Sequence, residues 1–381
     1  MTNFLWLRKN LFSSWYNSLL TVICLILLAW LVWGVITWAT FTAQWAVIQV
    51  NLRLFLVGRF PQDQYWRVWI VLAIATILGG VTGGVFSRKQ QLTRRNVLVS
   101  AVIFGVLLVV VPLDFISRLW LLLIAIFGFA GFGIGGRFTK LISPWLSPLW
   151  LLSFPAIWWL IGGGFGLQSV STNLWNGLLL TLLMAAISIV LSFPIGVLLA
   201  LGRTSNLPVV RWFSILYIEI IRGLPLIGIL FLAQVMLPLF LPVELRLDRV
   251  LRAIAGLVLF SAAYMAENVR GGLQSIPRGQ IEAAKALGLN TPLVVILIIL
   301  PQALRAVIPA IVGQFIGLFK DTSLLSLVGL VELTGIARSI LAQPEFIGRY
   351  AEVYLFIGFI YWLFCYSMSL ASRRLERLLS N

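Results

Sequence analysis

The sequence predicts an all-α, polytopic membrane protein with about ten transmembrane helices. Of its 381 residues, 61% are hydrophobic and only 10% are charged, whereas a soluble domain carries about 25% charged residues. Apolar runs of roughly 20 residues, the length that crosses a bilayer core about 30 Å thick, recur along the whole chain. The 16 Trp and 25 Phe residues fit aromatic belts at the two membrane interfaces.

The apolar runs fall into two groups of five. In the first half they cover residues 18–39, 67–86, 97–113, 118–135 and 146–163, and in the second half 174–201, 212–240, 250–272, 293–319 and 350–370. Three glycines and a polar stretch separate the groups near residue 170. We therefore divide the chain into an extra N-terminal transmembrane region at 1–170, a second transmembrane core at 171–374 and a short tail at 375–381.

Basic residues in the short connections predict the orientation. Arg8 and Lys9 precede the first run, so the positive-inside rule places the N-terminus in the cytoplasm. Ten alternating spans then bring the other strong basic clusters, and the C-terminal tail, to the same side; a cluster at 246–252 and the loop 51–67 are exceptions. Contact with anionic lipid headgroups explains the net charge of +16, and we expect no nucleic-acid binding.

Several chemistries are excluded by residue type. The chain has no His, which removes Ser-His-Asp hydrolysis and histidine metal sites, and its two Cys lie in apolar runs. No G-x-x-x-x-G-K-[ST] loop is present, so the chain carries no P-loop for ATP. The sequence therefore predicts no catalytic residue, no metal site and no cofactor bound by this chain itself.

One polar segment, between the eighth and ninth runs, predicts a short cytoplasmic surface helix. Glu282 suits the positive end of a helix dipole, and the small side chains of Ala283 and Ala284 let another protein approach closely. Gly288 is a natural helix stop, and the Thr-Pro pair that follows begins another helix. The pattern indicates a rigid docking element held between two spans, whereas an ordinary amphipathic loop helix is the simpler alternative.

Together with Ile298, Leu300 and Pro301, this segment resembles the E-A-A-x3-G-x9-I-x-L-P pattern of permease subunits of binding-protein-dependent ABC importers. Further segments resemble the polar amino-acid branch, which includes the histidine and arginine importers; they lie at 176–182, 217–226, 264–280, 300–305 and 320–324. The resemblance covers roughly residues 174–372. The added first half resembles the longer permease subunit of general L-amino-acid importers.

The resemblance implies a five-helix type I importer core in the bacterial inner membrane, which moves L-amino acids by alternating access. It also implies three partners. An ATPase dimer binds ATP and Mg and docks at the coupling helix, which is the short helix that carries Glu282, Ala283 and Ala284 and stops at Gly288. The other two are a periplasmic amino-acid-binding protein and a second, shorter permease subunit. The alternative is a secondary amino-acid transporter driven by an ion gradient, although no inverted repeat is evident. A membrane enzyme is a third possibility, for which the available catalytic sets are few.

Two pairs of charges inside the spans predict a polar cluster. Glu219 and Arg222, like Glu267 and Arg270, are three residues apart and so share a helix face. Both pairs lie toward the cytoplasmic half, where ionised groups should pair or face a wet cavity. We interpret the four as a cytoplasmic gate; simple structural ion pairing is the alternative.

A second polar group follows the ninth run. Lys320, Asp321, Thr322 and Ser323 could meet both the carboxylate and the ammonium of an amino acid. They are therefore our candidates for the substrate pathway. Because Asp, Thr and Ser are preferred capping residues, an interfacial helix cap is the alternative.

Overall fold

The computed structural model describes residue 6 and residues 10–87, 114–242 and 247–380, with side chains up to residue 376 in the last helix. The third predicted span, 97–113, and the basic residues at 8–9 and 88–95 lie outside the described residues. In the part that is described, helices account for nearly all regular structure, which confirms the all-α class. Within the described ranges, eight helices are long and apolar enough to span a membrane, or nine if one bent pair forms a single span.

Five helices of 12 residues or more lie in the described part of the first half. They are α1 (Trp15–Thr37), α2 (Ala46–Val57), α3 (Tyr65–Ser87), α4 (Phe115–Arg137) and α5 (Leu146–Gly162). Ser14 caps α1 by accepting a hydrogen bond from the backbone N–H of Asn17. Helix α2 corrects the sequence analysis, which left most of this segment as the external loop 51–67.

The second half contains nine helices among the described residues. They are α6 (Gly177–Arg203), α7 (Pro208–Gly223), α8 (Leu226–Phe240), α9 (Arg249–Gln274), α10 (Arg278–Ala286), α11 (Thr291–Ala306), α12 (Ile308–Asp321), α13 (Leu333–Leu341) and α14 (Tyr350–Ser380). A 3₁₀ helix, Thr322–Val328, continues from α12. The runs predicted at 174–201, 250–272 and 350–370 each fall within one continuous helix, apart from three residues before Gly177.

Two predicted spans are wrong as continuous helices. The run 212–240 bends by 103° between α7 and α8, because Leu224 precedes Pro225 and takes an extended conformation. The run 293–319 is interrupted at Val307, whose backbone leaves the helical region between α11 and α12. Pro309 follows at the start of α12, where its missing N–H costs no helical hydrogen bond.

Helices α3 and α4 pack against each other through glycine. A Cβ atom added to Gly80 or Gly84 would overlap the carbonyl oxygen of Gly128 or Phe132, respectively, and one added to Gly135 would overlap that of Val81. Small residues spaced four apart let two membrane helices approach until their backbones touch. This pair is therefore held by backbone proximity and needs no charged contact.

Helix α2 is packed into the second half of the chain. Its buried Val47 and Phe55 belong to the same hydrophobic cluster as Ile336 in α13 and Val353 in α14. The backbone N–H of Gln44, just before α2, donates to the carboxylate of Glu352 at 3.0 Å. The predicted division at residue 170 thus separates two groups of spans along the chain, but α2 belongs in space to the core of the second group.

Candidate functional site

Three helices bring the predicted gate residues into one cluster. Helix α7 carries Glu219 and Arg222, and α9 carries Glu267 and Arg270. The end of α6 adds Arg203, which the sequence analysis did not assign to the gate. We call these five residues the polar cluster.

Glu267 is the hub of the polar cluster. Its carboxylate lies 2.8 Å from Arg203 Nη1, 2.8 Å from Arg270 Nη2 and 3.6 Å from Arg222 Nη1. Arg203 Nη1 also lies 3.0 Å from Glu219 Oε1, so this guanidinium joins both carboxylates. The two i,i+3 pairs therefore do not act separately: Arg222 pairs with Glu267 across the helix interface, and Glu219 pairs with Arg203.

Aromatic side chains support the same interface between α7 and α9. The Arg222 guanidinium lies 5.5 Å from the ring centre of Tyr264, within the range of a cation–π contact. The hydroxyl of Tyr217 donates to the backbone carbonyl of Leu259 at 2.7 Å. The two helices are thus linked by polar contacts along more than one turn.

Helix α10 carries the E-A-A motif and is exposed along most of its length. Glu282 and Ala283 are exposed, and Ala284 is buried against the following segment. The backbone N–H of Leu289 donates to Ala284 O at 3.2 Å, and that of Gly288 donates to Lys285 O at 2.9 Å. These two bonds form a Schellman motif, which ends the helix firmly at a left-handed residue.

Gly288 supplies that left-handed residue, with a φ of 80°. Asn290, which the sequence analysis did not single out, then caps α11 by accepting from the backbone N–H of Leu293 at 3.1 Å. One detail of the sequence analysis is wrong: α10 begins at Arg278, so Glu282 lies in its second turn and not at its start. Its contribution to the helix dipole is accordingly small, because that effect is confined to the first turn.

Helices α9 and α11 connect α10 to the polar cluster. Glu267 is seven residues before the end of α9, about 10 Å along the helix. A Cβ atom on Gly272 would meet Ala303 O of α11 at 2.5 Å, so the two backbones are in close contact there. A displacement of α10 would therefore be transmitted to the polar cluster over a short distance, through the closely packed helices α9 and α11.

The four pathway candidates differ in their surroundings. Lys320 is exposed and Asp321 is half-buried at the end of α12. Thr322 is fully buried, and its hydroxyl donates to Phe319 O at 2.6 Å. Ser323 is partly buried in the following 3₁₀ helix. Within the described ranges no hydrogen bond to the Asp321 carboxylate occurs, so the capping alternative fails for this residue.

A buried carboxylate that the sequence analysis missed lies close by. Glu332 lies between the span that ends at Val328 and the one that begins at Tyr350. Its carboxylate caps α13 by accepting hydrogen bonds from the backbone N–H groups of Thr334 and Gly335, at 2.7 and 3.0 Å. Burial raises the pKa of Glu332, and the two backbone hydrogen bonds act in the opposite direction. Apolar residues spaced three and four apart at 333–341 were the sequence signal for α13, but Glu is not a preferred cap.

Comparison with known proteins agrees with these features. Residues 192–381 match the family described as binding-protein-dependent transport system inner membrane component. The chain is 38% identical over 393 residues to the inner membrane amino-acid ABC transporter permease protein YhdY of Escherichia coli K12, covering 98% of this chain and 92% of that relative. It is also 38% identical over 422 residues to the glutamate/glutamine/aspartate/asparagine transport system permease protein BztC of Rhodobacter capsulatus, covering 99% and 93%.

A shorter relative matches about half of the chain. The glutamate/aspartate import permease protein GltK of Escherichia coli O157:H7 is 37% identical over 207 residues, which cover 53% of this chain and 91% of that relative. The two long relatives therefore align with nearly the whole chain, whereas GltK aligns with about half of it. With the multi-span fold, the matches show that the chain belongs to the family of binding-protein-dependent ABC importer permeases, inner-membrane subunits of many spans.

Proposed function

We propose that this permease moves L-amino acids across the bacterial inner membrane by alternating access, with both of its termini in the cytoplasm. The names of YhdY, BztC and GltK all refer to amino acids, which supports this substrate class. An exposed lysine and a half-buried carboxylate, Lys320 and Asp321, stand side by side, and an amino acid presents the complementary pair of charges.

Helix α10 is the docking site for a separate ATPase dimer, which holds ATP and Mg. The observation that carries this proposal is the exposed pair Glu282 and Ala283 on a helix that is fixed at its end by the Schellman motif. A rigid helix can transmit a push, whereas a flexible loop would absorb it. The polar cluster then serves as the cytoplasmic gate, since it joins α6, α7 and α9 a short distance along α9 from α10.

Two further partners complete the proposal. A periplasmic amino-acid-binding protein delivers the substrate, and a second, shorter permease subunit supplies the other half of the pathway. The shorter partner is favoured because relatives such as GltK align with only about half of this chain. A homodimer would instead duplicate the added N-terminal helices.

Reconstitution tests the docking proposal. We expect the chain, co-expressed with candidate ATPases, to co-purify with one of them and to support ATP-dependent amino-acid uptake into proteoliposomes. Ala283→Glu adds a charge to the exposed face of α10 and should abolish co-purification. The matched control is Ala371→Glu, which adds the same charge to an exposed alanine of α14. Equal ATPase binding by the two variants would contradict docking at α10.

The substrate and the energy source can be read from the same preparation. Mass spectrometry of the purified complex should identify a bound amino acid. Uptake should stop when ATP is omitted and persist when ion gradients are collapsed. Uptake that follows an ion gradient without ATP would instead favour a secondary transporter.

A further inference from the structure

A cavity adjoins the polar cluster and shares two of its arginines. Its volume is about 440 Å³, and it lies between the end of α6, the start of α7 and the last turn of α9. Three arginines, Arg203, Arg211 and Arg270, contribute to its wall. Among the residues that the structure describes, no carboxylate lines it. The cavity is therefore built to attract an anion.

The arginines of the cavity are not fully neutralised. Arg203 and Arg270 share the carboxylate of Glu267, and Arg203 also contacts Glu219. Among the described residues, no carboxylate lies within ion-pair distance of Arg211. The polar cluster together with Arg211 thus contains four guanidinium groups and two carboxylates, an excess of two positive charges.

Neutral donors complete the wall. The exposed residues Asn206 and Gln274 also line the cavity, and each carries a side-chain amide. Arginine forks and amide N–H groups are the donors that bind the several oxygens of a phosphate group, and they exceed what a single carboxylate can use.

Exposed apolar residues follow two of the lining residues in the sequence. Leu207 follows Asn206, and Trp212 and Phe213 follow Arg211, at the start of α7. Tryptophan beside arginine at a helix end is typical of the membrane interface, where the ring lies at the level of the lipid headgroups. Basic pockets between membrane helices bind the headgroups of anionic lipids.

We propose that this cavity binds a phosphate group, with Arg211 as the principal ligand. The exposed apolar side chains of Leu207, Trp212 and Phe213 favour a phospholipid headgroup over free phosphate as the source of that phosphate group. A ligand there would contact α6, α7 and α9 together, without being a substrate of transport.

Lipid counting tests the proposal on the purified full chain with its co-purifying subunits. After delipidation in phosphate-free detergent, phosphatidylglycerol, phosphatidylcholine or inorganic phosphate is added in separate arms. Bound lipid is counted by native mass spectrometry, and thermal unfolding is followed in each arm. We expect wild type to bind phosphatidylglycerol and Arg211→Gln to bind it about ten-fold more weakly, since it loses a charge-assisted hydrogen bond. Arg211→Lys keeps the charge and should bind with intermediate affinity.

Arg374→Gln is the matched control, because it removes one exposed charge from α14, outside the cavity. It should leave binding unchanged. An Arg211-dependent stabilisation by inorganic phosphate, without one by phosphatidylglycerol, would support the phosphate site and assign it to the free ion. Binding that ignores Arg211→Gln in every arm, or that falls equally in Arg374→Gln, would overturn the proposal.

Discussion

Replacing Glu267 by Gln removes the charge at the hub of the polar cluster and keeps the shape of the side chain. Three guanidinium groups would lose their shared carboxylate, two of them at 2.8 Å. Breaking a buried ion pair costs about 3–5 kcal/mol, and breaking an exposed pair costs about 0–1 kcal/mol. The side chain of Glu267 is 16% exposed and those of its partners 22–36%, so we expect a cost between these limits, about 2 kcal/mol.

If the polar cluster holds the gate shut, that cost shifts the gate toward opening. Since 1.36 kcal/mol is a factor of ten, about 2 kcal/mol corresponds to roughly thirty-fold. We therefore expect Glu267→Gln to raise ATP hydrolysis in proteoliposomes without the binding protein by up to about thirty-fold, and to weaken its stimulation by the loaded binding protein. Both rates are measured by phosphate release.

Glu219→Gln is the internal comparison. Glu219 has one cluster partner, Arg203, and its side chain is 56% exposed. Its loss should cost less than about 1 kcal/mol and raise the unstimulated rate by no more than about five-fold. Equal effects of the two variants would refute the hub. Unchanged transport and unchanged coupling in both would refute the gate and leave structural ion pairing as the explanation.

Three other substitutions test separate parts of the molecule. Asp321→Asn should reduce isotope uptake by weakening contact with the substrate ammonium; wild-type affinity and rate would exclude a direct role. Gly288→Ala should destabilise the end of α10 by about 1 kcal/mol and weaken ATPase binding, because the φ of Gly288 is positive. The control Gly279→Ala, inside α10 and without a positive φ, should do neither. Gly84→Leu should lower the thermal stability in detergent, because its Cβ meets Phe132 O, and the control Gly79→Leu has open space; equal melting temperatures would contradict backbone contact between α3 and α4.

The sequence was most informative where local rules act alone. Apolar run length located the spans, and Gly288 marked the end of α10, because both depend on residues near in the chain. The i,i+3 spacing identified Glu267 and Arg270 as neighbours. It could not identify Arg203, which is 64 residues from Glu267, because that contact exists only after α6 and α9 have packed together.

Helix breaks inside apolar runs were harder to predict. Pro225 and Pro309 were visible in the sequence, but proline is tolerated in membrane helices when neighbours satisfy the freed backbone groups. Their effect therefore depends on packing. Helix α2 was missed for a similar reason: it is only 12 residues long, too short to register as a span, and the core of the second half stabilises it.

The packing of α2 against the second half limits where the chain can be divided. Gly177, at the first turn of α6, has no room for a side chain, because a Cβ atom would meet Phe55 O at 2.6 Å. The first residues of the importer core therefore pack closely against α2, which lies more than a hundred residues earlier in the chain. A hybrid permease that joins residues 171–381 to another N-terminal half would leave a groove over Ile336 and Val353 unfilled. A junction placed before Gln44 would transplant the groove together with the helix that fills it.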